Sequence, residues 1–178
     1  MKTLLMLSVF GLFTVGGAAL AKSVAKVAPV LASGKIEAKS GSKLTGTVTF
    51  VADDKKNVTL KIEVSGVSPG DHAVHLHEKG DCSDPEGKNA GGHWNPAVQP
   101  HGKWGPTPHH LGDIGNLVVG ADGKGTLTMS TDQWTVKSGE PNDVVGKALI
   151  VHASIDDFKT QPTGNAGGRI GCAVITAP

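Results

Sequence analysis

Residues 43–51, KLTGTVTFV, and 57–64, NVTLKIEV, decide how the rest of the chain is read. Thr, Val, Ile and Leu alternate in both runs with polar or small residues, and the turn-forming DDKKN at 53–57 joins them. Period-two alternation of β-branched residues puts one face in a core and the other in water, which is the mark of a strand. The same texture recurs outward from this pair, at 73–77, 114–119, 124–130, 147–153 and 169–175. ADGKG at 121–125 reads as a hairpin turn, because Asp-Gly favours the tight types. From Gly34 onward the chain reads as short strands, and no helical period longer than about two turns is evident. Many short strands with Gly-rich turns imply an all-β sandwich or barrel.

Two stretches break the alternation. Residues 78–112 are rich in Gly, Pro, His and Asp, and 155–168 precede the last strand. Long irregular segments in a compact domain are often functional, and something besides an apolar core must order them.

The N-terminus sets the expected compartment. Lys2, an apolar run from Leu4 to about Val15 and the small residues Ala19-Leu20-Ala21 read as a secretory signal over 1–21, cut after Ala21. The alternative, a membrane anchor, needs roughly 20 apolar residues, more than this run supplies. Residues 22–33 read as a flexible leader, and 34–178 as the folded domain. Loss of Lys2 from 17 basic residues leaves 16, matching the 16 acidic ones. A formally neutral chain argues against nucleic acid or a charged membrane surface as main partner. Cys82 and Cys172 are the only cysteines. In an exported chain an even pair suggests a disulfide, the alternative being two buried thiols. Closing such a loop is worth roughly 4–5 kcal/mol on the chain-entropy model.

All eight histidines lie between positions 72 and 152. His75 and His77, at i and i+2 of a strand, point to one face and can share an ion; an H-x-H alone is weak evidence. The irregular stretch adds His93, His101, His110 and Asp113. Gly112 in the HLGD segment lets the last two converge. Three imidazoles and a carboxylate form a closed tetrahedral set suited to structural zinc. His152 ends the apolar run ALIVH, where a lone histidine is more often a hydrogen-bonded core residue.

HLHEKGDC (75–82), GGHWNP (91–96), HHLGDIGN (109–116), IVHASIDD (150–157) and GNAGGRIGC (164–172) together resemble the copper–zinc superoxide dismutase family. The resemblance covers about residues 34–176. It implies an eight-stranded Greek-key β-barrel. It also implies copper on His75, His77, His93 and His152, and zinc on His93, His101, His110 and Asp113. His93 would bridge the two ions through its two ring nitrogens, which only a deprotonated ring can do. Asp156 would accept hydrogen bonds from His75 and His101 and fix both rings. His72 matches a structural, non-ligand histidine. His109 could exchange with His110 by a one-residue shift; HLGD is the family's spacing, so His110 is taken as the ligand and His109 as exposed. A Cys82–Cys172 bridge would tie the metal loop to the strand carrying Arg169.

The implied reaction is dismutation of superoxide to dioxygen and hydrogen peroxide. Copper would be the redox centre, His93 would supply a proton to the peroxide, and Arg169 would orient the anion. The chain departs from the animal and plant pattern in two respects. Residues 155–168 are few and carry Lys159 as their only cation, so steering would fall to Lys79, Lys88 or Lys103. Trp94 stands where Phe is usual, a packing substitution. A non-enzymatic copper carrier of the same fold is the main rival reading. A zinc hydrolase is disfavoured because the proposed zinc set leaves no open position, and an adhesion sandwich because the ligand spacings agree jointly. The expected home is the periplasm; pairing into a homodimer rests on family habit alone.

Overall fold

A computed structural model describes residues 28–106 and 108–178; the expected signal at 1–21 and the first part of the leader lie outside them. Eight strands form a closed antiparallel barrel: β1 (Val30–Ala38), β2 (Thr45–Ala52), β3 (Val58–Ser65), β4 (Gly70–His77), β5 (Asp113–Val119), β6 (Gly125–Thr131), β7 (Ala148–His152) and β8 (Arg169–Val174). Their order around the barrel is β1-β2-β3-β6-β5-β4-β7-β8. The β3–β4 and β6–β7 connections therefore cross over neighbours, which is the Greek-key arrangement. No helix among the described residues is long and apolar enough to cross a membrane.

Alternation does the work that the sequence promised. In β3, Val58, Leu60, Ile62 and Val64 face inward and Lys61 and Glu63 face water. They pack with Ile36, Val48, Phe50, Leu117, Leu149 and Val151 in one core cluster. At roughly 1.5–3 kcal/mol for each large apolar side chain removed from water, this interior supplies most of the drive to close the barrel. The tight turn after β5 brings Val119 opposite Gly125.

One boundary needs correcting. The leader expected over 22–33 becomes strand at Val30, and β1 as a whole lacked a defined range in the sequence. Val30, Ala32 and Ser33 pair with Val51, Phe50 and Thr49 of β2, and Ser33 also exchanges two backbone bonds with Thr176, at 2.8 and 2.9 Å. The stretch LASG carries no β-branched residue; its neighbours on both sides, not its own propensity, hold it extended.

β4 departs from one-sided burial: every residue from His72 to His77 is buried. Val74 and Leu76 face the core, while His75 and His77 face outward and are covered by residues 78–112. That segment has one short 3-10 turn, Lys88–Ala90, among its described residues. It is fastened by the Cys82–Cys172 disulfide, with Cα atoms 5.8 Å apart. The bridge and Ala90, Ala148 and Ile150 form a small apolar cluster of their own. Replacing both cysteines with serine is expected to lower unfolding free energy by about 2–5 kcal/mol, measured by urea denaturation; a change under about 1 kcal/mol would mean the cluster holds the loop without the bond.

Candidate metal centre

Strand register brings the expected ligands together. His75 pairs with Asp113 across β4–β5, His77 bridges His93, and His152 lies opposite Arg169 across β7–β8. Irregularities at Val74/His75 and at Val151/His152 turn these side chains toward one another, a common use of bulges beside active sites. Gly112 is needed where the chain crosses β4, since a Cβ there would collide with the Leu76 carbonyl.

Two buried clusters result. In the first, His75, His77, His93 and His152 offer ligand atoms within 4.8 Å of one another. His75 Nδ1 and the Nε2 atoms of His77, His93 and His152 have no hydrogen-bond partner among the described residues. Buried polar atoms are almost always satisfied, so four converging orphans mark a place for a cation. In the second, Asp113 Oδ1 lies 2.9 Å from His93 Nδ1 and 3.2 Å from His110 Nδ1. Asp113 Oδ2 lies 3.0 Å from His101 Nδ1, and the His93 and His110 Nδ1 atoms are 3.3 Å apart. A tetrahedral site with bonds of about 2.0–2.1 Å has edges of about 3.3 Å, so these four side chains fit a zinc-sized ion with slight contraction. His75 also comes within reach of this cluster, but its Nε2 is committed to Asp156. His110 completes the set instead.

His93 belongs to both clusters, Nε2 toward the first and Nδ1 toward the second. Asp156 joins them from behind, accepting from His75 Nε2 at 2.8 Å and from His101 Nε2 at 2.9 Å. His77 donates through Nδ1 to the Gly91 carbonyl at 3.0 Å. His72 is spent on the His152 and Ser68 carbonyls, both at 2.9 Å. The expectation of an exposed His109 needs adjustment: it is half-buried, its ring 4.6 Å from that of Trp104. Trp94 is buried in the core, as a packing residue should be.

Electrostatics divides the clusters. Burial, with the neighbouring rings His75 and His101, lowers His93 to about 4, against the pull of Asp113. Burial and the charges of His75, His93 and Arg169 lower His152 to about 3, and burial and His93 take His77 well below its ordinary value. These rings are neutral at pH 7, the form a metal requires. Burial also acts to lower His101, but its bonds to Asp113 and Asp156 prevail and raise it to about 9. Burial acts to raise Asp113, and bonds from His101, His110, His93 and the Gly102 N–H hold it far below the carboxylate range.

A family model described as copper/zinc superoxide dismutase (SODC) matches residues 44–175. The chain belongs to this family. It is 42% identical over 138 residues to the superoxide dismutase [Cu-Zn] of Caulobacter vibrioides, covering 75% of this chain and 79% of that one. It is 38% identical over 147 residues to the superoxide dismutase [Cu-Zn] of Deinococcus radiodurans, covering 76% and 79%. Among solved structures, the clock protein EA4 superposes with a TM-score of 0.75 at 30% identity, over 86% of this chain and 98% of that one. A double mutant of a SOD-like protein from Bacillus subtilis superposes with a TM-score of 0.73 at 34% identity, over 82% and 97%. The family's two metals, copper and zinc, fit the two clusters: an all-imidazole set and a set with one carboxylate.

Sequence reasoning missed several residues that hold the dismutase-family site. Asn116 donates to the Asp156 carbonyl at 3.0 Å and accepts the Asp156 N–H at 2.8 Å. Gln161 clamps the His101 peptide in the same reciprocal way, with both bonds at 2.8 Å. Neither residue type signals such a task; only the fold brings them within reach. Gly164 had no assigned role either, yet a Cβ there would strike the Asp156 carboxylate and His101. Asp156→Asn leaves one acceptor oxygen for two rings. It is expected to weaken zinc and copper binding by about 10–100-fold, measured by chelator competition on the metal-free protein. Unchanged affinities for both ions would show the carboxylate link to be incidental.

Proposed function

We propose that the chain dismutes superoxide in the periplasm, with copper held by His75, His77, His93 and His152 and zinc by His93, His101, His110 and Asp113. The observation that carries this reading is the single imidazole shared by two buried clusters, with four unpartnered nitrogens facing the first. Two superoxide anions and two protons give one dioxygen and one hydrogen peroxide. Copper when bound supplies the one-electron redox chemistry, and zinc has none to add.

The protein's own residues supply position and protons. His93 would take a proton at Nε2 only while that nitrogen is not bound to copper, and would give it to the departing peroxide, while the zinc set with Asp113 would keep the ring from swinging away. Arg169 donates to the Gly87 carbonyl at 2.6 Å and to the Gly91 carbonyl at 2.7 Å. A guanidinium has five N–H groups in a fixed fork, so donors remain to orient a small anion beside His152. The disulfide supports an oxidising compartment and agrees with a signal at 1–21. A copper carrier of this fold would need the first cluster but not the second cluster joined to it or the anchored arginine.

Lys88 is the steering residue that the geometry favours among Lys79, Lys88 and Lys103. It lines a cavity of ≈ 420 Å³ together with Arg169, Glu86 and Ser40. Lys103 lies 5.7 Å from the Phe158 ring and lines a different cavity with Trp104 and Met129. Glu86, which pairs with Lys88 and lines the same cavity, offsets part of that attraction. Lys88→Gln is expected to lower kcat/KM at low salt by about two- to fivefold and to flatten its salt dependence; the same change at Lys103 is expected to do neither.

The direct test is superoxide dismutation by the mature protein loaded with both metals. Turnover should depend on copper and should fall steeply in His93→Ala. Tight copper binding by the wild type without turnover would establish the carrier reading instead.

A further inference from the structure

Lys39 is a buried lysine, 9% exposed, that neither cluster uses. Lysine is almost never buried unless its ammonium is paired. Its Nζ donates to the Cys82 carbonyl at 2.5 Å, and its charge also acts on Asp81 and Asp84. It stands where β1 leaves the barrel: Glu37 pairs with Cys172, the Lys39 N–H bonds to the Ile170 carbonyl at 2.9 Å, and the Ser40 N–H bonds to the Pro85 carbonyl at 2.8 Å.

The loop it grips is the one that Arg169 reads. Gly87 and Gly91 present the two carbonyls that Arg169 bonds, and the Gly91 carbonyl also takes the His77 N–H. The Lys39 Cγ and the Arg169 Cδ both lie 3.7 Å from the point that a Cβ on Gly87 would occupy. The two long side chains therefore flank the same glycine. The disulfide holds Cys82 through its side chain, and the Ser40 N–H holds the main chain three residues on, at Pro85. The ammonium bond to the Cys82 carbonyl holds the main chain at Cys82 itself.

We propose that Lys39 is a positioning residue for Arg169: by bonding the Cys82 carbonyl it holds residues 82–91 so that the Gly87 and Gly91 carbonyls aim the guanidinium at an incoming anion. This inference rests on the reading of Arg169 as the anion-orienting group.

The test uses azide, a small monoanion, titrated into the copper- and zinc-loaded protein and followed by the copper absorption bands. Lys39→Met keeps the stem and loses the ammonium. It is expected to weaken azide binding by about three- to tenfold, the worth of one hydrogen bond, with metal content unchanged. Lys39→Arg, which restores a charged donor, should return affinity to within about twofold. The decisive arm is Lys39→Met placed in an Arg169→Met background. If Lys39 acts through Arg169, the second change adds nothing. A full additional loss there, abolished by salt, would mean Lys39 acts as a bare charge and would overturn the proposal. So would unchanged azide affinity in Lys39→Met when Arg169→Met weakens it. Should Lys39→Met not fold, Lys39→Leu, which also loses the ammonium, takes its place in the same cycle with Arg169→Met. Unchanged affinity in Arg169→Met alone would sink the reading of Arg169 itself.

Discussion

A buried imidazole has two nitrogens, and a protein can satisfy only one of them if the other is to hold a metal. That constraint shapes nearly everything outside the barrel core. His75 and His101 meet it through the two oxygens of one carboxylate, Asp156. His77 meets it through the Gly91 carbonyl, and His152 has the Gly167 carbonyl at 3.3 Å. His93 alone has no nitrogen to spare, because both face clusters. The irregular stretches thus present carbonyls and a carboxylate at fixed points around a strand pair whose outward face would otherwise be solvated.

Because the partners of the rings are main-chain groups of loops, the loops themselves must be pinned. Each is held by side chains reaching back to it: Lys39 and the disulfide for residues 82–91, Gln161 for the His101 peptide, Asn116 for Asp156. The pins come from the opposite loop, from the end of β1 and from the middle of β5. Disturbing one loop is therefore felt by rings that the other carries. The Gly91 carbonyl shows the economy of this arrangement. It fixes His77 on one side and Arg169 on the other, so a ring of the first cluster and the Arg169 guanidinium share one peptide.

Legibility in the sequence followed the same division. Strands whose partners leave one face wet, such as β3 with its strict alternation, could be read to within a residue or two. The entry of β1 could not, because LASG carries no strand signal and is extended only by its neighbours. His75, His77 and the HLGD segment stood out because local spacing alone brings ligands together. Joining them to His152 and Asp156, 75 or more residues from His77 and His75, needed the family resemblance, since no local pattern spans that distance. Lys39, Asn116 and Gln161 were silent. Each does its work through one contact with a distant main chain, and nothing in residue type distinguishes such a side chain from a solvated one. The three candidate steering lysines were equivalent on paper and separate only when the fold puts Lys88 beside Arg169.

On the proposed reading, the charge of the two clusters offers a reason why a formally neutral mature chain would attract an anion. Asp113, with Asp156 behind it, gives the second cluster two carboxylates, and in the metal-free state the His101 cation already offsets one of them. A divalent ion there is largely neutralised by its own surroundings. The first cluster has imidazoles only, and burial lowers His77, His93 and His152, so an ion bound there would keep most of its charge. Arg169, across from His152, adds a further unit with no carboxylate within ion-pair distance among the described residues. Positive charge would therefore be greater at the first cluster, next to Arg169, than at the second. In a site partly shielded from water this local asymmetry matters more than the net charge of the whole molecule. On the proposed reading it lets a short loop with a single lysine serve where longer, more highly charged loops would otherwise be needed.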